Sequence, residues 1–259
     1  MKKFLIRLFK ILPEGFLKKK IRCYGFNFYR RKSRLHASFK KGYFKFDFKN
    51  GITIKSYYDI CSDLVDSLRG YLKNYKLQKG DIVIDCGAYL GAFALYAAKI
   101  IGSNGLVFAF EPSPENYKKL WKNIKLNRLT NIIPINKGLW SKNTILALND
   151  SHSGGSTFFF NTDKQASVVE VPVVTLDNEL KKRRIKKVDF IKMDIEGSEI
   201  EAIKGSEKTL KNKNIKLAIA SYHIVNGQKT CFRLEKLLSK FGYKVKTSFP
   251  THLTTYATK

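Results

Sequence analysis

DIVIDCGAYLGAFALYAAKIIGSNGLVFAFE, residues 81–111, decides the fold of this 259-residue chain. Ile82, Val83, Ile84 and Cys86 surround Asp85 in a run apolar enough for a buried strand. Gly87 and Gly91 then flank a three-residue turn into a helix, and a second apolar run, Leu106 to Phe110, ends on Glu111. A strand, a glycine turn and a helix together present backbone N–H groups and a positive helix end to a ligand. An acid at the tip of the second strand of such a unit hydrogen-bonds a ribose diol. The stretch is therefore a nucleoside site.

The glycine spacing narrows the nucleoside. A dinucleotide site places a second glycine where the backbone must approach a pyrophosphate. Here the order is Gly87, Ala88, Tyr89, Leu90, Gly91, and the bulky Tyr89 argues against a pyrophosphate. An adenosine ligand without phosphate fits better, and S-adenosylmethionine is the common one.

Outward from this unit, strands and helices alternate. Ser113 caps a helix running from Pro114 to Asn127, with Pro114 at its first position. Ile132–Ile135 is the third strand. A helix from Asp59 to about Tyr75 leads into the nucleoside unit. Residues 138–187 break the rhythm as a β-rich insertion, with strands at Thr144–Leu148 and Val168–Val174 around a Ser153-Gly154-Gly155-Ser156 loop. The pattern resumes with a strand at Val188–Met193, a helix from about Ser198 to Leu210, a strand at Ile215–Ala220, a helix at Lys229–Phe241 and a strand at Tyr243–Thr247. Leu253–Ala257 is placed as an antiparallel edge. Repeated βα units imply a mostly parallel sheet, here of seven strands with helices on both faces, whose ligands sit at the carboxyl ends of the strands.

The N-terminal fifth differs in character. Residues 1–50 hold 16 Lys/Arg against Glu14 and Asp47 alone, half of the chain's formal charge of +28. Such a segment suits an anionic partner, although Lys-rich compositional drift explains it equally well. Leu5, Leu8, Phe9 and Leu12 recur at helical spacing among Lys2, Lys3, Arg7 and Lys10, giving a short basic amphipathic helix that Pro13-Glu14-Gly15 ends. Its apolar face docks on the protein's own core or, in the sharper reading, residues 1–22 meet an anionic membrane surface. Phe44, Phe46 and Phe48 alternate with charges ahead of Asn50-Gly51. A three-residue loop, Lys49 to Gly51, pairs Phe48 with Ile52 and Phe46 with Ile54 on one face. The chain is thus divided at 57/58 into a basic helix-and-hairpin segment and a nucleoside-binding domain. The four cysteines stand singly, which points to neither zinc nor a disulfide framework and to a reducing cytoplasm. No apolar run reaches the 18 or so residues of a membrane span.

VDFIKMDIEGSEIEAIKGSEKTL, residues 188–210, carries the second group of charges. Lys192 interrupts an inner strand, and Asp194, Glu196 and Glu199 crowd its exit, facing the expected nucleoside pocket. Asp194 and Glu196, alternate residues, point the same way while the chain stays extended. Glu199 reads as a favourable charge at a helix N-terminus.

With these motifs together the chain resembles the FkbM family of S-adenosylmethionine-dependent methyltransferases. The resemblance rests on DCGAYLG (85–91), FAFEPSPEN (108–116), VVTLD (173–177) and IKMDIEGSE (191–199), and spans about 80 to 225. It implies a class I Rossmann-like α/β fold and O-methylation of a sugar, glycan, small-molecule or lipid-linked hydroxyl. Asp85 and the N–H groups of Gly87, Ala88, Tyr89 and Gly91 would then hold the methionine end, Glu111 with Pro112 the ribose side, and Asn136 to Gly138 the adenine. Asp194 would meet the amino group, or a divalent metal with Glu196. His223, after the fifth strand where the family often has an acid, is the candidate general base because imidazole titrates near neutrality. Lys192 would pair with Asp194 or Glu196, or orient the acceptor. His152 reads as surface.

Other functions stay open at this point. An RNA methyltransferase would use Tyr24, Phe26, Phe28, Tyr29 and Phe39 to stack bases while Arg30, Arg31, Lys32 and Arg34 hold phosphates. A non-catalytic module would use the basic segment to sit on membrane or glycan, at the inner membrane face if the protein is cytoplasmic. A dehydrogenase lacks its glycine.

Overall fold

The computed structural model describes residues 13–29, 35–151, 155–158, 167–211, 214–248 and 252–259, leaving aside the side chains of residues 66–68. The basic helix expected over residues 2–12, the cations Arg30, Arg31, Lys32 and Arg34, His152 and part of the Ser/Gly loop fall outside them. The chain divides into two compact units, Met1–Val65 and Asp66–Lys259. Among the described residues no helix is long and apolar enough to cross a membrane.

In the first unit a helix, α1 (Phe16–Tyr29), precedes an antiparallel sheet of β1 (Leu35–Lys40), β2 (Tyr43–Phe48) and β3 (Thr53–Ser56) in the order β1-β2-β3. The expected register holds: Phe46 lies opposite Ile54, and Phe48 N–H donates to the Ile52 carbonyl at 2.8 Å. Gly51 takes the left-handed conformation with φ 82°. Alternation puts Phe44, Phe46 and Ile54 fully inside. Neither α1 nor β1 is in the sequence reading. Asn27 of α1 joins them, its amide donating to the Ala37 carbonyl at 2.7 Å and its oxygen accepting from Ala37 N–H at 2.8 Å. Phe39, considered above for base stacking, is core, with its ring 4.8 Å from Phe44.

A helix α2 (Cys61–Gly70) replaces the longer one expected to Tyr75. The second unit then follows with β4 (Ile82–Cys86), α3 (Ala92–Ile101), β5 (Leu106–Phe110), α4 (Pro114–Leu126) and β6 (Ile132–Ile135). After β7 (Gly138–Leu139), β8 (Thr144–Asp150) and β9 (Ser167–Val174) come α5 (Leu176–Lys182), β10 (Phe190–Met193), α6 (Glu199–Lys204), α7 (Glu207–Leu210) and β11 (Lys216–Ala220). A short hairpin of β12 (Ile224–Val225) and β13 (Gln228–Lys229), α8 (Thr230–Lys240), β14 (Lys244–Ser248) and β15 (Thr254–Thr258) complete it.

The seven-stranded sheet has the order β14-β15-β11-β10-β4-β5-β6. It is a Rossmann-like α/β sheet in which β15 alone runs against its neighbours. The edge position expected for Leu253–Ala257 is corrected here. β15 lies between β11 and β14, because Thr254 to Ala257 are buried and need a neighbour on both sides. The core beneath joins Ile84, Phe108, Phe110, Ile191 and Met193 from the inner strands. In the 138–187 region, β7, β9 and β8 form a separate three-stranded sheet.

The helix expected over Ser198–Leu210 breaks into α6 and α7 at Gly205. A Cβ at Gly205 would overlap the Trp140 carbonyl oxygen, so the helix opens where two backbones meet. Gly205→Ala is expected to cost about 1–3 kcal/mol through this overlap. An unchanged urea midpoint for the variant would contradict the packing. The helix α5 went unread because seven residues make too short a pattern, although Thr175 caps it by accepting from Asn178 N–H at 3.1 Å.

Candidate active site

The carboxyl ends of β4, β5 and β10 border an open cleft. Seven of the residues picked out in the sequence line it: Gly87, Tyr89, Glu111, Pro112, Gly138, Asp194 and Glu196.

Close approach of the strand exits shapes the first wall. Asp194 N–H donates to the Cys86 carbonyl at 3.0 Å, and a Cβ at Gly87 would overlap the Asp194 carbonyl oxygen. Only glycine fits there, with φ 78°. The chain then turns through Tyr89, itself left-handed at φ 49°. This turn aims Tyr89 N–H at Glu111 Oε2, 2.8 Å away, while Ser113 N–H donates to Oε1 at 3.0 Å. Burial pushes the Glu111 carboxyl up to about 7, and these two N–H groups hold it from rising further. Asn136 does not reach the cleft. Its amide donates to the Glu111 and Pro112 carbonyls at 2.9 and 3.1 Å and braces that strand exit from behind. Asp85, Ala88 and Gly91 also lie behind the wall.

Lys192 is a correction. It pairs not with Asp194 or Glu196 but with Asp85, Nζ to Oδ1 3.0 Å, and both side chains are buried. The cause is register: Lys192 sits opposite Asp85 on the adjacent parallel strand, so the two side chains leave the same face. Its Nζ also donates to the Gly87 carbonyl at 2.6 Å. Burial works against the ammonium, but Asp85 and then Asp194 outweigh it and hold its pKa above the ordinary lysine range.

The far end of the cleft is acidic. Asp194 and Glu196 both face it, Glu196 through a left-handed backbone at φ 53°. His223, leaving the neighbouring β11, brings Nε2 to 3.6 Å from Asp194 Oδ1 and 3.3 Å from Glu196 Oε2. Its Nδ1 lies 3.1 Å from Glu199 Oε1. Burial opposes charge on this ring, but Glu199 first, then Glu196 and Asp194, outweigh it and push its pKa up to about 11. The three carboxylates favour the protonated ring, which runs against the general-base expectation for His223. Glu199, read as a helix-end charge, is fully buried and accepts from Ile195 and Gly197 N–H at 3.1 and 3.3 Å.

Sequence reasoning missed three neighbours of Asp194, among them Tyr222, whose hydroxyl donates to Oδ1 at 3.4 Å. Tyr71 donates its hydroxyl to Oδ2 at 2.7 Å, and His252 Nε2 lies 3.3 Å from the same hydroxyl. Tyr222, beside His223, places its ring 4.9 Å from that of His252. The one available signal was Tyr222-His223 at a strand exit.

Comparison with known proteins agrees with this architecture. The model of the methyltransferase FkbM domain matches residues 85–245. The chain is 27% identical over 139 residues to the hexuronic acid methyltransferase AglP of Haloferax volcanii, covering 53% of this chain and 54% of that protein. It is 26% identical over 143 residues to methyltransferase 1 of Beauveria bassiana, covering 48% of this chain and 57% of that protein. The chain thus spans about half the length of these curated relatives. The structure of an FkbM methyltransferase from Methylobacillus flagellatus superposes with a TM-score of 0.53 at 21% identity, over 71% of this chain and 45% of that one, a likeness of fold. With the family match covering more than half of its length, the chain belongs to the FkbM family of S-adenosylmethionine-dependent methyltransferases.

Proposed function

We propose that the chain methylates a hydroxyl of a sugar or glycan. The observation that carries this reading is one cleft lined both by Glu111 with the N–H groups after β4 and by the acidic pair Asp194 and Glu196. The residues present suit the cofactor: each Glu111 oxygen accepts one backbone N–H and keeps a lone pair for a ribose hydroxyl. Gly87 and Tyr89 would line its methionine end, and Pro112 and Gly138 would border the adenine. Bound there, S-adenosylmethionine supplies a methyl carbon already activated by the sulfonium, so a C–O bond forms as the C–S pair returns to sulfur.

The chain's own residues supply position and a path for the proton. Asp85 acts at a remove, through Lys192, which fixes the Gly87 carbonyl and so the wall that the methionine end would meet. Asp194, held by the Tyr71 hydroxyl, and Glu196 face the acceptor, and its hydroxyl proton leaves toward them. The hexuronic acid named for the Haloferax relative favours a sugar hydroxyl.

The test offers labelled S-adenosylmethionine with uronic-acid glycans, lipid-linked glycans, RNA and protein extracts. Label is expected in a glycan fraction, released by glycosidase and retained through ribonuclease and protease. Label in RNA or protein alone, with S-adenosylhomocysteine still bound, would overturn the acceptor class and keep the cofactor site.

A further inference from the structure

We infer that Asp194, Glu196 and His223 form a divalent-cation site of the manganese type at the acidic end of the cleft. Only the ion's role there, not its binding, rests on the methyl-transfer reading.

Convergence of donors is the first argument. One imidazole nitrogen and one oxygen from each carboxylate all lie within 4.8 Å of one another. Donors held by a single ion at about 2.0–2.2 Å stand about 3–3.5 Å apart. The separations of His223 Nε2 from Glu196 and Asp194, 3.3 and 3.6 Å, are already close to that spacing. The ring is nine-tenths buried, yet neither of its nitrogens makes an aligned hydrogen bond. A histidine kept for its own ion pairs would turn to align at least one of them.

The surroundings are the second argument. A metal-binding histidine directs its other nitrogen at a carboxylate that fixes the ring. Glu199 stands on that side, with Oε1 3.1 Å from Nδ1 and tethered in turn by the Ile195 and Gly197 N–H groups, so a small turn of the ring onto an ion would bring Nδ1–H into line with it. Asp194 is oriented likewise: Tyr71 donates to Oδ2 at 2.7 Å, and Oδ1, which accepts the longer Tyr222 hydroxyl bond at 3.4 Å, lies on the His223 side. The donors leave neighbouring strands, β10 and β11, so the sheet sets their spacing. Asp194 and Glu196 are about a quarter exposed, 23% and 27%, which leaves coordination positions open toward the cleft. One imidazole with two carboxylates suits Mn2+ better than the purely oxygen-seeking Mg2+. An ion held there by Asp194, Glu196 and His223 would supply Lewis-acid chemistry, lowering the pKa of an acceptor hydroxyl at this end of the cleft.

Mn2+ titration of the chelator-treated full chain, followed by the loss of the free-ion electron paramagnetic resonance signal, tests the site. The wild type is expected to take up one ion per chain. Glu196→Gln and His223→Ala should weaken uptake by about 100-fold or more, and Glu199→Gln, which acts through the ring, by about tenfold. Melting curves of the metal-free variants check folding, and the partly exposed Glu196 keeps the test informative if His223→Ala unfolds. Free Mn2+ left unbound up to millimolar concentration, with S-adenosylhomocysteine still bound, would make the cluster an ion-pair network and overturn the site. Mn2+ bound as expected without S-adenosylhomocysteine binding would instead strike the cofactor reading.

Discussion

Glu111→Ala is expected to abolish binding of S-adenosylhomocysteine, weakening it by at least about 100-fold in calorimetry. Two charge-assisted hydrogen bonds to a ribose diol, at about 1.5–3 kcal/mol each, account for that loss. The substitution also frees Tyr89 and Ser113 N–H, so the turn that faces the ligand loosens. Wild-type affinity retained in the variant would remove Glu111 from the cofactor site. The pH dependence follows from burial. With its pKa raised to about 7, the folded protein keeps a proton on Glu111 that the unfolded chain releases near 4.5. Between those values stability therefore falls as pH rises, by no more than about 3 kcal/mol. A ribose hydroxyl donates best to the ionised form, so cofactor affinity should rise from pH 6 to pH 8. Glu111→Gln should flatten that profile, and a profile equally steep in the variant would assign the titration to another group.

Lys192→Met is expected to cost about 3–5 kcal/mol, because it leaves the Asp85 carboxylate buried without a countercharge. At about 2–4 °C per kcal/mol for a domain of this size, calorimetry should show a fall in Tm of roughly 10 °C. Asp85→Asn combined with Lys192→Met removes the stranded charge and should recover most of it, which a double-mutant cycle would measure. A loss below about 1 kcal/mol in the single variant would mean that water reaches the pair. Because Lys192 also holds the Gly87 carbonyl, the double variant should stay stable yet bind cofactor more weakly.

The parts of the fold that the sequence reveals are those whose cause is local. β5 begins and ends where its apolar run does, since a strand buried on both faces leaves no room for polar residues. Ser113-Pro114 marks its helix by capping chemistry alone. By contrast, α1 carries Leu17 and Tyr24 at 61% and 76% exposure, so its apolar residues mislead about which face is inside. Position along the sheet was equally hidden, because β15 gains its place from two partners rather than from its own five residues.

The site divides in the same way. Gly87, Glu111 and Asp194 were legible because each ends a readable strand. The Lys192–Asp85 pair depends on register between strands more than 100 residues apart in the chain, and Tyr71 reaches Asp194 across 123 residues. No spacing rule reports such contacts. Glu199 and His223 were each visible as residue types, but the 3.1 Å contact between them is set by the exits of two different strands.

The place of β15 also orders events in time. β14 joins the sheet only through β15, so residues 254–258 must be made and threaded before either strand can settle. Until then β11 is the outermost strand on that side, with its row of backbone donors and acceptors open to any extended segment that passes. Assembly of this sheet is therefore late and non-local, with contacts that close only after long loops have been drawn in. Nascent chains halted before residue 254 should expose β11 and aggregate, whereas chains extended past residue 258 should seal that edge and stay dispersed.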